Sequence, residues 1–373
     1  MLIRVVTMYK KRIKWNWTQI LCVFIFMIVS IYSIYAARLY INPSLGNLAV
    51  KQLLWYGLGI VVFWILTKVP AKWIIKGIYP FYAFMILSLV GLLFFGTSIN
   101  NSRCWYVIPY LGSIEPCEFM KISLVLLFAK EIDAFNKRRK VTFKQEFFFL
   151  CKMGFYLLLP VVLTFLQPDT GSIFIYTFIA VVMLFCSKLS KRWFWVIGGT
   201  VVVLLAIFLY LYFFQEELFI QIFSSNIYYR LNRLKDFRDG TSMQLENALV
   251  AIGSAGLFGH GSLPLYFPEP ATDFIFSVFA SSVGLIGTVL FLLVLVVFDY
   301  SIFKMAEKGH GISKFLWIGL LATIAFGQIQ NIGMNIGLLP IMGITLPFIS
   351  YGGSSLLSYS ISFGLFYAIQ KEV

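Results

Sequence analysis

Residues 17–37 read WTQILCVFIFMIVSIYSIYAA, a run without a single charge, and they follow a segment carrying Arg4, Lys10, Lys11, Arg12 and Lys14. At a rise of about 1.5 Å per residue, a helix of about 20 apolar residues spans the ~30 Å hydrocarbon core of a bilayer. The run exceeds the roughly 7–15-residue apolar core of a signal peptide, so it reads as a retained helix whose basic N-terminal side stays in the cytoplasm. Further runs of this kind lie at roughly 49–67, 75–95, 115–131, 148–166, 171–187, 193–214, 272–299, 314–338 and 346–369, ten in all. An even count returns the C-terminus to the cytoplasmic side. The expected fold is therefore an all-α polytopic membrane protein with ten transmembrane helices, both termini cytoplasmic, forming one domain over residues 1–373.

Composition agrees. The chain is 60% hydrophobic and 12% charged, against about 25% charged for soluble proteins. The net charge of +14 would suit a nucleic-acid binder if it were gathered in one patch, but the basic residues lie between apolar runs and report topology instead. Of the 30 Lys and Arg, 22 fall in segments expected to be cytoplasmic and seven in segments expected outside, with Lys121 inside a span. That asymmetry supports the orientation and leaves no call for nucleic acid as a partner.

One connection is long, the outer segment 215–271. Leu231 and Leu234 alternate there with Arg230, Arg233 and Lys235, and Leu245, Ala248, Leu249 and Ile252 recur at helical spacing. This long extracellular loop is expected to hold two amphipathic helices lying on the outer membrane face. The cysteines, Cys22, Cys104, Cys117, Cys151 and Cys186, are odd in number and lack CxxC spacing. A fully paired disulfide framework is excluded. His260 and His310 are too few for a histidine-built metal site.

Polar groups at membrane depth need a reason. Glu118 and Lys121 share a helix face three residues apart, as a structural ion pair or as part of a polar cavity. Asp169, in the turn Gln167-Pro168-Asp169-Thr170-Gly171, and Asp273, at the head of the eighth span, suit helix capping equally with substrate contact. Arg103 and Trp105 fit an interfacial anchor, and Arg230, Arg233, Lys235 and Arg238 fit either a diphosphate or anionic lipid headgroups. Residues 337–355, dense in Gly, Pro and Ser, cannot be regular helix throughout, and such backbone is tolerated at a membrane edge only when buried in protein or lining a watery cavity.

Taken in order, these motifs carry a resemblance. Asn101-Ser102-Arg103-Cys104-Trp105, Glu115-Pro116-Cys117-Glu118-Phe119-Met120-Lys121 and Gln167-Pro168-Asp169-Thr170-Gly171 are followed by Ala251-Ile252-Gly253-Ser254-Ala255-Gly256-Leu257-Phe258-Gly259-His260-Gly261. Then come Thr272-Asp273-Phe274-Ile275-Phe276, Asn331-Ile332-Gly333-Met334, and Leu346-Pro347-Phe348-Ile349-Ser350-Tyr351-Gly352-Gly353-Ser354-Ser355. Over essentially its whole length the chain resembles the SEDS family, the RodA/FtsW/SpoVE peptidoglycan glycosyltransferases. The resemblance implies a multi-pass enzyme of the bacterial plasma membrane that polymerises lipid II and works beside a class B penicillin-binding protein. It implies Asp273 as the catalytic residue and Trp105 as functionally important. Around Asp273, Arg103, Asp169, Glu269, Arg230, Arg233, Ser354 and Ser355 are expected to contact substrate, with Glu118 and Lys121 as a structural ion pair. A divalent cation, Mg or Mn, would help to neutralise the diphosphate leaving group; no other cofactor is expected.

The chain departs from the family pattern in three places. Glu115-Pro116-Cys117-Glu118 stands where the family usually has Gln-Pro-Ser-Glu, Ser281 and Ser282 replace an acidic pair, and Met342 replaces a small residue. These changes suggest a divergent paralogue. A lipid II flippase and a non-catalytic scaffold for a penicillin-binding protein are the alternatives, and the motifs do not separate elongation, division and sporulation types.

Overall fold

A computed structural model describes residues 15–41, 46–99, 102–108, 112–215, 218, 242–261 and 269–372. Its architecture is a bundle of long helices: α1 (Trp17–Ala36), α2 (Leu48–Leu66), α3 (Ala71–Phe95), α4 (Pro116–Asn136), α5 (Phe143–Leu166), α6 (Thr170–Phe185) and α7 (Lys191–Phe214). A short α8 (Met243–Ser254) follows, then α9 (Ile275–Lys308), α10 (Ile312–Asn335) and α11 (Gly353–Glu372). Each expected apolar run coincides with a long helix, offset by a few residues where local chemistry decides the end. Helix α5 starts five residues before its apolar run because Thr142 and Gln145 form a reciprocal capping box. The last helix starts only at Gly353, because 347–351 form a turn and bend.

Among the described residues six helices, α1, α2, α3, α5, α9 and α10, are long and apolar enough to cross a membrane. Their burial separates rim from centre. Only 22% of the most apolar window is buried in α2 and in α5, against 67% in α10. Helix α4 is central too, with residues from Cys117 to Phe135 buried on nearly every side, and it packs on α3, α6 and α10. Exposed tryptophans mark one rim: Trp17, Trp64, Trp73 and Trp195 all sit at helix ends on the expected cytoplasmic side, as aromatic residues do at a lipid–water boundary.

Two features differ from the expected all-α fold. Strands β1 (Thr97–Ile99), β2 (Ser102–Ile108) and β3 (Gly112–Ile114) form a small antiparallel sheet between α3 and α4, with Thr97 opposite Trp105 and Val107 opposite Ser113. Strands this short carry too little alternation to stand out beside long apolar runs. In the outer connection, α8 turns Leu245, Ala248 and Ala251 inward and packs on α9 and α10, so this face meets protein and not only the membrane surface. Leu249 is 43% exposed. The expected helix around Leu231 and Leu234 lies outside the described residues.

Helix α9 is broken. Gly284 has φ 70° and ψ −169°, so the 34-residue helix is two pieces end to end. The break releases backbone groups that must be satisfied in an apolar interior, and residues 256–261 satisfy them. His260 and Gly261 donate backbone N–H groups to the Ser281 and Ser282 carbonyls, while Leu285 and Ile286 donate theirs to Gly256 and Leu257. This is the structural task of the Gly256-Leu257-Phe258-Gly259-His260-Gly261 motif. Ser281 and Ser282 are buried here; the Ser282 hydroxyl donates to the Val278 carbonyl.

Candidate active site

The first piece of α9 presents Asp273 just before its N-terminus. The N-cap position falls to Phe274, one residue later than a capping role for Asp273 requires. Two asparagines of α10 grip the backbone instead: Asn331 Nδ2 donates to the Asp273 carbonyl at 2.9 Å and Asn335 Nδ2 at 3.0 Å. Asn335 Oδ1 accepts from the Ser277 amide at 3.1 Å, and Asn331 also donates to the Ile344 carbonyl at 2.8 Å. One step back, the Ser350 hydroxyl donates to the Thr272 carbonyl at 2.6 Å, and the Tyr351 amide to Ala271 at 2.8 Å. Bonds at Ala271, Thr272, Asp273 and Ser277 thus fix this stretch to α10 and to the irregular segment that holds Ser350 and Tyr351. The Asp273 carboxylate lies against Gly343, where an added methyl group would sit 3.6 Å from its Oδ2.

The irregular segment is satisfied in the same manner. Tyr56 donates to the Phe348 carbonyl, Ser30 to Ile349 and Gln52 to Ser350, while Gln52 Oε1 accepts from the Gly352 amide. Gln330 donates to the Pro340 carbonyl. Non-helical backbone persists inside the bundle because single polar residues on α1, α2 and α10 replace the missing helical bonds. Those residues were not singled out from the sequence, although an isolated Ser, Gln or Asn in an apolar run is the signal that would have found them.

A cavity of about 1380 Å³ opens beside Asp273. Of the residues expected at the site, it gathers Trp105, Glu118, Lys121, Asp169, Glu269, Asp273, Ser354 and Ser355, which span 251 positions of sequence. Arg103 is exposed and does not line it; its amide donates to the Gln167 carbonyl. Arg230 and Arg233 lie outside the described residues. Glu115 and Lys51, absent from the expected set, also line the wall, and Glu115 accepts a hydrogen bond from the Trp105 side chain. Among the described residues, Lys51 and Lys121 are the cationic side chains facing a cavity otherwise rich in carboxylates.

Glu118 and Lys121 form an ion pair at 2.7 Å with both side chains buried, and they line the cavity as well. Ser358 of α11 donates to Glu118 at 3.4 Å, so the pair joins α4 to α11. Asp169 takes up its capping role, one oxygen accepting from the Ser172 amide of α6 at 3.0 Å, while the other is buried without a hydrogen-bond partner among the described residues. Ser354 accepts from the Glu115 amide at 3.0 Å, tying the start of α11 to that of α4. Thr272 donates to the Glu269 carboxylate at 3.0 Å. Among the described residues no three His, Cys, Asp or Glu side chains converge to hold a metal.

Fold and site together define a multi-pass helical membrane protein whose scattered polar residues meet in one large cavity beside a firmly held aspartate. The chain belongs to the FtsW, RodA and SpoVE family of cell cycle proteins, whose family model matches residues 13–373. A relative from Hydrogenovibrio crunogenus, described as a probable peptidoglycan glycosyltransferase FtsW, is 30% identical over 338 residues, 87% of this chain and 82% of its own length. The fold matches a chain of a peptidoglycan synthase complex that coordinates polymerization and crosslinking, with TM-score 0.78, 24% identity and coverage of 97% of this chain and 99% of that one. It also matches the rod shape determining protein RodA of Thermus thermophilus, with TM-score 0.70, 24% identity and coverage of 96% and 97%.

Proposed function

We propose that the chain is a peptidoglycan glycosyltransferase that polymerises lipid II into glycan strands, with Asp273 as its catalytic base. The observation that carries the role of Asp273 is its placement: a carboxylate at the edge of a 1380 Å³ cavity, on a backbone held by Asn331 and Asn335. The relatives' shared activity supports the reaction class. Asp273 takes the proton from the 4-hydroxyl of the acceptor sugar as that oxygen attacks the anomeric carbon of the donor. The diphosphate leaves with the bonding electron pair, and the anomeric configuration inverts. General base catalysis and charge stabilisation suffice for so good a leaving group.

Lys51, a cationic side chain on the cavity wall near the start of α2, is the proposed contact of the diphosphate. Trp105, Asp169, Glu269, Ser354 and Ser355 contact the sugars or their substituents. The expected Mg or Mn ion has no cage of protein ligands among the described residues, so no step is routed through it. The reading extends to ten membrane crossings with the cavity on the outer face of a bacterial plasma membrane, and to a class B penicillin-binding protein as crosslinking partner. The test is purified protein with lipid II. Asp273→Asn is expected to leave folding intact and abolish polymer; polymer at the wild-type rate would overturn the role of Asp273. Movement of labelled lipid II across proteoliposomes by wild-type protein, without polymer, would favour a transporter.

A further inference from the structure

Cys104 and Cys117 come from different elements and share a hydrogen-bonding partner at the cavity wall. Cys104 lies on β2, one residue before Trp105, and Cys117 lies in the first turn of α4, one residue before Glu118. Both thiols address the same residue: Cys104 Sγ donates to the Gln167 carbonyl at 3.6 Å, and Cys117 Sγ to Gln167 Oε1 at 3.8 Å. The two cysteine side chains also interact with each other. Cys117 is fully buried, whereas Cys104, although 2% exposed, forms part of the cavity lining.

We infer that Cys104 and Cys117 form a reversible disulfide site, closed by hydrogen peroxide that reaches Cys104 through the cavity. The Cys104 sulfur attacks one peroxide oxygen; the O–O bond breaks, a sulfenic acid forms, and the other oxygen leaves as water. The Cys117 sulfur then attacks that of Cys104, the S–S bond forms, and the sulfenic oxygen leaves as a second water. Two thiols thus lose two electrons and two protons to one peroxide, and a dithiol reductant reverses the step. Both thiols are sheltered, so the reaction is slower than at exposed Cys151. The sulfenic acid of exposed Cys151 is open to further oxidation to sulfinic acid. The bond would tie the strand bearing Trp105 to the turn bearing Glu118, two walls of one cavity.

The site is tested on the full chain in detergent without assuming any activity. Protein exposed to hydrogen peroxide and quenched with catalase is denatured in iodoacetamide, digested and analysed by mass spectrometry. The expected result is a dithiothreitol-sensitive peptide joining Cys104 to Cys117, with both thiols protected to the same extent. In Cys104→Ser, Cys117 should remain alkylatable; in Cys117→Ser, Cys104 should yield a dimedone-trapped sulfenic acid. Absence of the joined peptide from oxidised wild-type protein, or pairing of either residue with Cys22, Cys151 or Cys186, overturns the inference. Protection of Cys117 in the Cys104→Ser variant does so too.

Discussion

A methyl group on Gly284 would lie 2.3 Å from the amide nitrogen of Gly259, so the two glycines bring a loop and a broken helix into backbone contact. Gly284 also holds φ 70° with ψ −169°, a region that costs a side-chain-bearing residue roughly 1–3 kcal/mol even in open space. Gly284→Ala is therefore expected to lower the thermal unfolding midpoint and the yield of monodisperse protein. Gly154→Ala is the control: it lies within α5 with nothing within 4 Å of an added methyl group, and alanine favours a helix by about 1 kcal/mol over glycine. Equal midpoints for the two variants would contradict the close-approach account.

Asn335 joins two pieces of the site, donating to the Asp273 carbonyl while accepting from the Ser277 amide. Asn335→Ala leaves buried partners unsatisfied, at about 1–3 kcal/mol. Polymerisation of lipid II should fall by roughly ten-fold or more, chiefly in kcat, because the carboxylate loses its fixed position while the cavity stays open. A change in KM alone would place Asn335 in substrate binding.

The Glu118–Lys121 pair calls for a double-mutant cycle. Breaking a buried pair by removing one partner costs about 3–5 kcal/mol, whereas removing both costs far less. Glu118→Gln and Lys121→Met should each reduce folded protein in membranes, and the double variant should recover part of the loss. If either single variant folds normally yet makes no polymer, and the double variant is equally inactive, the pair belongs to the chemistry.

Lys51→Gln should raise KM for lipid II several-fold with a smaller change in kcat, since a charge on the diphosphate acts in both ground and transition states. The effect should shrink as salt is raised, because a partly solvated charge is screened. Steady-state polymerisation at two ionic strengths reads both trends. An unchanged KM would move the diphosphate contact elsewhere.

Much of this protein was legible from its order of residues. The apolar runs coincide with helices because helix placement here depends on a local sum, the hydropathy of some 20 consecutive residues. The Glu118–Lys121 pair stood out as charge inside an apolar run, Asp169 and Asp273 as carboxylates at span ends and Trp105 as an interfacial aromatic, and the cavity gathers them. What only the tertiary structure decided are relations between distant positions. Asn331 and Asn335 grip residue 273, Ser30, Gln52 and Tyr56 satisfy carbonyls at 348–350, and residues 256–261 fill the break at Gly284. No local property of Tyr56 names Phe348 as its partner. The choice is made when irregular backbone enters a water-poor interior, where every freed carbonyl and amide must find a partner from whichever helix packs against it. Sequence therefore set which segments are helical and which residues are out of place in them, and packing assigned those residues to one another.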